Sequence, residues 1–297
     1  MSERPILVTG GSGQLALALE AAATVPVRRV GRPEFDFDQP ESVGAAFAAV
    51  RPWLVVNAAA YTAVDAAEGD ADAAFRANRD GPAELARLCA AAGVPLIHVS
   101  TDYVFDGGKG APYAESDPVA PLGVYGRSKL EGEQAVLASG ARAIVLRTSW
   151  VYSPTGKNFV RTMLTVGKTR DLLRVVADQQ GCPTTAADLA DAILAIAARL
   201  AARGWEDGYA GVFHAAGTGA TTWHGLATAV FQEAARLGAK VPVVEPITTA
   251  DWPTPVTRPA DSRLECARLA VVFGVRLPPW RDSLTRTVEA IFAAGGV

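Results

Sequence analysis

Short apolar runs alternate with longer stretches of helical period along the first half of the chain, a pattern that predicts a parallel sheet wound with helices. The runs of strand length are Ile6-Leu7-Val8, Val27 to Val30, Trp53-Leu54-Val55-Val56-Asn57, Pro95-Leu96-Ile97-His98-Val99 and Ala143–Arg147. Helices are expected from about Gln14, from Asp38-Gln39-Pro40-Glu41, over Val64–Phe75 and Pro82–Ala92, and from about Tyr125 to Leu137. At the second of these, Asp38 takes the N-cap position and Glu41 follows at capping-box spacing. A Gly/Pro-rich loop runs from Asp106 to about Gly123. Beyond Trp150 the alternation loosens. Helices at Asn158–Val166, Ala186–Ala202, Leu226–Leu237 and Arg281–Phe292 are separated by short strands at Val212-Phe213-His214 and Val241–Val244, and by turns such as Trp252-Pro253-Thr254-Pro255. The expected fold is α/β, a doubly wound parallel sheet over residues 1–150. Residues 151–297 are expected to be mainly a smaller, mixed substrate-binding portion, with some segments returning to the sheet.

Composition narrows the function classes. With 297 residues, 49% of them apolar, the chain can bury one large core or a large and a small one. A net charge of -3 and the lack of any basic run argue against a nucleic-acid surface, although a local field can still bind a small anion. Cys89, Cys182 and Cys266 are odd in number and widely spaced, as expected of reduced thiols in packed elements. His98, His214 and His224 lack metal-site spacing, so no metal is expected. The opening Met1-Ser2-Glu3-Arg4-Pro5 leads into a strand too short for a signal-peptide core. No apolar run approaches the roughly 20 residues that span a bilayer. A soluble, cytoplasmic protein without a membrane partner is the expectation.

Gly10-Gly11-Ser12-Gly13-Gln14-Leu15-Ala16 follows the first strand and opens the first helix. Gly10 permits a tight turn, Gly13 lets backbone approach a diphosphate, and Ala16 allows close helix–strand packing. The helix N-terminus then offers unpaired N–H groups to the anion. Gly-x-x-Gly-x-x-Gly/Ala is the spacing of short-chain dehydrogenases, and its position between strand and helix raises a Rossmann-type dinucleotide site above an ordinary turn. The second strand ends in Gly31-Arg32 rather than in an acidic residue. Arg32 is therefore a candidate partner for a 2′-phosphate, favouring NADPH with NADH still possible, against the alternative of a solvated surface Arg. Asp36, with Phe37 beside it, is a candidate for the adenine amino group. Asn57-Ala58-Ala59-Ala60 supplies small residues where the third strand would pass beneath the cofactor.

Tyr125-Gly126-Arg127-Ser128-Lys129 places a phenol and an ammonium at i and i+4, on one face of a helix. A nearby ammonium would bring the phenol down from its usual pKa of about 10. Lys129 could also hold the nicotinamide ribose. Tyr125 is then a general acid that protonates a carbonyl oxygen as hydride arrives. The end of the fourth strand should supply a third group. Thr101 and Ser100 both stand there with opposite facings, and Thr101 is the choice for hydrogen-bonding the substrate carbonyl.

At this point the chain resembles a family. Asn57 to Asp65, Ser100–Phe105, Val124 to Glu133 and Leu146 to Tyr152 are similar to segments of dTDP-4-dehydrorhamnose reductases, of the extended short-chain dehydrogenase superfamily. So are Asp178 to Thr184, Thr221-Thr222-Trp223-His224, Pro253-Thr254-Pro255, Arg258-Pro259 and Asp261 to Leu264. The resemblance implies NADPH-dependent reduction of the 4-keto group of dTDP-6-deoxy-L-lyxo-4-hexulose to dTDP-L-rhamnose. It implies that Thr101, Tyr125 and Lys129 carry the chemistry, and that Gly13-Gln14-Leu15, Asp36-Phe37 and Ala60-Tyr61-Thr62 hold the cofactor. Val64, Asp102 and Trp150 would line the sugar pocket. Some members dimerise through magnesium bound by glutamates. Here the first-helix position is Ala18, so monomer and homodimer both stay open. A rival is the NADP-binding regulatory subunit of methionine adenosyltransferase, which the complete Thr101/Tyr125/Lys129 set disfavours. Another is a nucleotide-sugar dehydratase or epimerase. Asp102-Tyr103 after Thr101 lacks the Asp-Glu pair of a dehydratase, and the C-terminal resemblance decides against an epimerase.

Overall fold

The computed structural model describes residues 4–295. Its centre is a six-stranded parallel sheet. The strands are β1 (Ile6–Thr9), β2 (Val27–Val30), β3 (Leu54–Asn57), β4 (Leu96–Thr101), β5 (Ala143–Thr148) and, much later in the chain, Gly211–His214. The spatial order runs from that late strand through β5, β4, β3 and β1 to β2. The chain crosses over between β2 and β3, so the crevice of a doubly wound sheet opens above the carboxyl ends of β1 and β3.

Both faces of the sheet are covered, which is why its strands read as unbroken apolar runs. Successive residues face opposite layers. Ile6, Val8, Leu54 and Val56 pack with Leu15, Ala16 and Leu19 of α1 (Gln14–Ala22), whereas Leu7, Val30 and Val55 pack with Val43 and Ala46 of α2 (Pro40–Val50). The stretch expected as one helix over Val64–Phe75 is two short ones, α3 (Val64–Ala67) and α4 (Ala71–Phe75), parted at Gly69. A π-helical turn, Arg76–Asp80, then runs straight into α5 (Gly81–Ala92). α6 (Val124–Ala138) completes that layer.

The expected N-cap at Asp38 is overturned. Gln39 takes that position, Pro40 begins the helix, and no side chain caps it. Asp38 instead binds Arg32 and Arg76, because two guanidinium groups outcompete a lone backbone N–H for the carboxylate.

The rest of the chain introduces β6 (Val151–Tyr152), α7 (Phe159–Gly167), β7 (Leu172–Val176), β8 (Gln180–Gly181), β9 (Thr184–Thr185) and α8 (Ala186–Arg203). β10 (Gly211–His214), β11 (Thr221–Thr222), α9 (Trp223–Arg236), β12 (Val243–Ile247), α10 (Ala267–Phe273) and α11 (Trp280–Ala293) follow. α8 does not belong to the smaller layer: Leu189, Ile193 and Ile196 fill the same core as α1, and β10 is the sheet's sixth strand. α7, α9 and α11 form a second core around Tyr152. The short pairs β6–β9, β8–β11 and β7–β12 tie this portion together at the carboxyl side of the sheet. Among the described residues no helix is long and apolar enough to cross a membrane.

Candidate active site

The glycine turn has the geometry its residues foretell. Gly10 has φ +107°, and a Cβ there would meet the Ala58 carbonyl oxygen at 2.9 Å, so the turn lies directly against the end of β3. Gly31 is pressed on Gly11 with no room for a Cβ, which brings the end of β2 to the same place. Gly13 is the N-cap of α1, and no side chain caps this end. The first N–H groups of α1 remain available to an anion. Leu15 is buried beneath the turn, and the Gln14 carboxamide accepts a 2.9 Å bond from Asn158, joining the turn to the C-terminal portion.

Beneath the turn runs a buried polar chain. Thr9 donates to Asn57 Oδ1 at 2.6 Å, and the Asn57 amide stands 2.9 Å from His98 Nδ1. With Oδ1 accepting, the Asn57 NH2 donates, so His98 Nδ1 must accept and Nε2 carries the proton. Burial, with Lys129 nearby, holds His98 far below its ordinary pKa and therefore neutral.

Ala60, Tyr61 and Thr62 follow β3. Asn78 fixes this segment: its Oδ1 accepts from Tyr61 N–H at 2.8 Å, and its Nδ2 reaches the Tyr61 carbonyl at 3.1 Å and Ser128 of α6 at 3.0 Å. Sequence reasoning missed Asn78. It sits in the π-helical turn, which no periodicity announces. Phe37 packs where a Cβ on Gly81 would stand, and Ser42 holds the Asp36 main chain. Arg32 is exposed and paired with Asp36 and Asp38.

Thr101, Asp102, Tyr125 and Lys129 meet at the end of β4 and the start of α6. Gly126 lets the helix press on the Tyr103 carbonyl, where a Cβ would overlap that oxygen. The Thr101 hydroxyl lies against Tyr125 and donates to Asp102 Oδ1 at 3.1 Å. Ser100, facing the other way, is buried without a hydrogen-bond partner. The Tyr125 ring packs edge-on against Tyr103, with centroids 5.6 Å apart.

The electrostatics correct one expectation. Burial pushes the Tyr125 phenol up to about 12, countered in part by the Thr101 hydroxyl. Lys129 does not lower it, because its ammonium donates to the Val99 carbonyl at 2.7 Å. Burial in turn lowers Lys129 to about 8, against the pull of Glu133. Burial also raises Asp102 to about 6, with the hydroxyls of Ser262, Thr101 and Ser149 opposing it, and Oδ2 has no hydrogen-bond partner. A neutral phenol, able to give a proton, is the form this site holds at neutral pH.

Val64 opens α3 beside Asp65, whose carboxylate binds Arg258 at 2.8 Å and so draws the 252–259 loop towards the site. Trp150 has φ +47°, unusual for a bulky residue. It stacks on Trp223 at 3.5 Å with the rings 7° from parallel. Gly181 makes room for the Trp150 indole. Trp223 donates to Gln179 Oε1 at 3.2 Å. Trp223 and Gln179 were noticed in the sequence only within similar segments, because stacking across 73 positions leaves no local signal. Among the described residues no three His, Cys, Asp or Glu gather to hold a metal.

A family model described as "RmlD substrate binding domain" matches residues 4–292. The chain belongs to the RmlD family. It is 47% identical over 292 residues to a dTDP-4-dehydrorhamnose reductase of Sinorhizobium fredii, with 98% of each chain covered. It is 42% identical to a probable dTDP-4,6-dihydroxy-2-methyloxan-3-one 4-ketoreductase of Streptomyces antibioticus, covering 97% of this chain and 96% of that one. The dTDP-4-dehydrorhamnose reductase of Bacillus anthracis, solved in complex with NADP, superposes with a TM-score of 0.89 at 31% identity, covering 97% and 99% of the two chains. The glycine turn, the uncapped α1 and the Thr101–Tyr125–Lys129 cluster thus occur in an RmlD-family chain whose relatives match it end to end.

Proposed function

We propose that the protein is an oxidoreductase that uses NADPH to reduce the 4-keto group of dTDP-4-dehydro-L-rhamnose to dTDP-L-rhamnose, the last step of dTDP-rhamnose synthesis. The observation that carries this reading is Tyr125, half-buried and protonated, with its phenol against the Thr101 hydroxyl at the carboxyl end of β4. The residues present suit a dinucleotide: a turn closed by Gly10, an α1 end that no side chain caps, and a buried ammonium at Lys129. Gly10, Gly13, Gln14 and Leu15 would take the diphosphate, Ala60-Tyr61-Thr62 the ribose and nicotinamide side, and Arg32, Asp36 and Phe37 the adenosine.

Bound NADPH supplies hydride to the carbonyl carbon. The protein supplies everything else. Tyr125 gives its proton to the carbonyl oxygen, so that the C=O bond becomes C–H and O–H together. Thr101 turns its hydroxyl from Asp102 to the same oxygen and stabilises the charge growing there. Lys129 holds the ribose hydroxyls. Val64, Asp102 and Trp150 orient the sugar, with Trp223 bracing Trp150.

The reaction is tested by the loss of NADPH absorbance on adding the 4-keto sugar, made with the upstream dehydratase and epimerase. Rapid oxidation yielding dTDP-L-rhamnose is expected. Tight NADPH binding without turnover would favour a regulatory binding protein instead.

A pH dependence follows from Lys129. Its ammonium is the form that binds ribose, and its pKa in the free protein is lowered to about 8. The charged form is therefore present below that pH and lost above it, so kcat/KM, which reports the free enzyme, falls as pH rises past about 8. Lys129→Arg should carry this decline to much higher pH, since a guanidinium stays charged. An unchanged profile would assign the decline to another group.

A further inference from the structure

We propose that Asp38 sets the choice between NADPH and NADH: it holds Arg32 and Arg76 together as a pair of cations, and the 2′-phosphate takes its place between them. The inference rests on the reading of the chain as a nicotinamide-nucleotide enzyme and adds two residues, Asp38 and Arg76, to it.

Arg32 stands about 20 residues past the glycine turn, where a dinucleotide fold reads the adenosine ribose. The contact of Gly31 with Gly11 fixes the end of β2 beside the turn, so Arg32 begins at the right place. Arg76 reaches the same carboxylate from the start of the π-helical turn. The carboxylate is shared, one oxygen to each arginine: Arg32 Nη2 lies 2.7 Å from Oδ2 and Arg76 Nε lies 2.9 Å from Oδ1. Two guanidinium groups with one anion between them form a ready cleft for a phosphate.

The three side chains are exposed enough for exchange, at 68% for Arg32, 49% for Arg76 and 42% for Asp38. Ion pairs in water at that exposure are weak. A phosphate dianion carries more charge than a carboxylate and offers each guanidinium two oxygens. It therefore displaces Asp38, at the cost of leaving that carboxylate without its partners. Asp36 plays a different part. Its side chain is 12% exposed and its main chain is fixed by Ser42, so its 2.9 Å bond to Arg32 Nε steadies the guanidinium without filling the cleft. NADH, lacking the phosphate, leaves the Arg32–Asp38–Arg76 bridge in place and gains nothing from the two arginines.

The experiment is a fluorescence titration of NADPH and NADH against the whole protein and its Asp38→Ala, Arg76→Ala and Arg32→Ala variants, at two salt concentrations. Asp38→Ala should tighten NADPH about three- to tenfold and leave NADH within about twofold. Arg76→Ala and Arg32→Ala should each weaken NADPH about tenfold, again sparing NADH. Each Arg variant should also flatten the salt dependence of NADPH binding. Equal changes for the two nucleotides, or weaker NADPH binding in Asp38→Ala, would overturn the proposal. A wild-type protein that binds neither nucleotide would remove the underlying reading with it. Binding of both by the wild type, followed by unselective variants, would remove only this inference. All three positions are exposed, and circular dichroism of each variant checks that it folds.

Discussion

Tyr125→Phe should lower kcat by about 10²- to 10⁴-fold while changing the Kd for NADPH by less than about twofold. The substitution deletes one oxygen from a site whose other features stay in place. The ring still packs on Tyr103 at 5.6 Å, and Lys129 still donates to Val99 at 2.7 Å. What disappears is the phenol beside the Thr101 hydroxyl, and with it the proton for the carbonyl oxygen. Thr101 cannot replace it, because an alcohol hydroxyl is a far weaker acid. Stopped-flow oxidation of NADPH, with a parallel binding titration, separates the two effects. Near-normal turnover would mean that the proton comes from elsewhere, with Asp102, raised to about 6, the next group to examine.

Arg147→Met should cost about 3–5 kcal/mol of stability. Arg147 on β5 grips Glu133 on α6 with three bonds, Nε to Oε1 at 2.9 Å and to Oε2 at 3.2 Å and Nη2 to Oε2 at 2.7 Å, and the two side chains are only 5% and 2% exposed. Removing the guanidinium leaves a buried carboxylate without its hydrogen-bonded partner, with only the Lys129 ammonium acting on it through space. The same guanidinium lies 5.1 Å over the Phe105 ring, so packing is lost as well. Urea unfolding measures the loss, and Arg147→Met with Glu133→Gln should recover a large part of it. A loss under about 1 kcal/mol would mean that the pair is dispensable. His214 supplies a second readout: burial, and next the charge of Arg147, lower it to about 3, so its pKa should rise in the variant.

The fold and the chemical core were legible because they depend on short-range pattern. A strand buried on both faces is an apolar run, and a glycine turn before a helix is a spacing. Tyr125 and Lys129 share a helix face at any i, i+4 placement. What escaped depends on contacts across the chain. The Lys129 ammonium turned to Val99 and not to the phenol, a choice made by the position of β4 beneath α6. Asp38 had the spacing of a cap and lost it to two arginines, one of them 38 positions away. Asn78 gave no signal because a π-helical turn interrupts the period that marks a helix. The Trp150–Trp223 stack joins residues on either side of a core helix, and its local trace, a positive φ at a tryptophan, is invisible without coordinates.

The late arrival of α8 and β10 has a consequence for the nascent chain. The first five strands are complete once Thr148 has been made, yet α1, resting on the sheet through Leu15, Ala16 and Leu19, lacks the cover of Ile193 and Ile196 until they follow, and β5 keeps a bare edge until His214. At about 5–20 residues per second, the ribosome needs several seconds to supply that stretch. For that interval the emerging chain presents a half-covered apolar helix and an unpaired parallel strand, both open to capture by neighbouring chains. Synthesis pace between Trp150 and His214, rather than the intrinsic speed of the first half, then governs how much of the polypeptide matures without the help of chaperones.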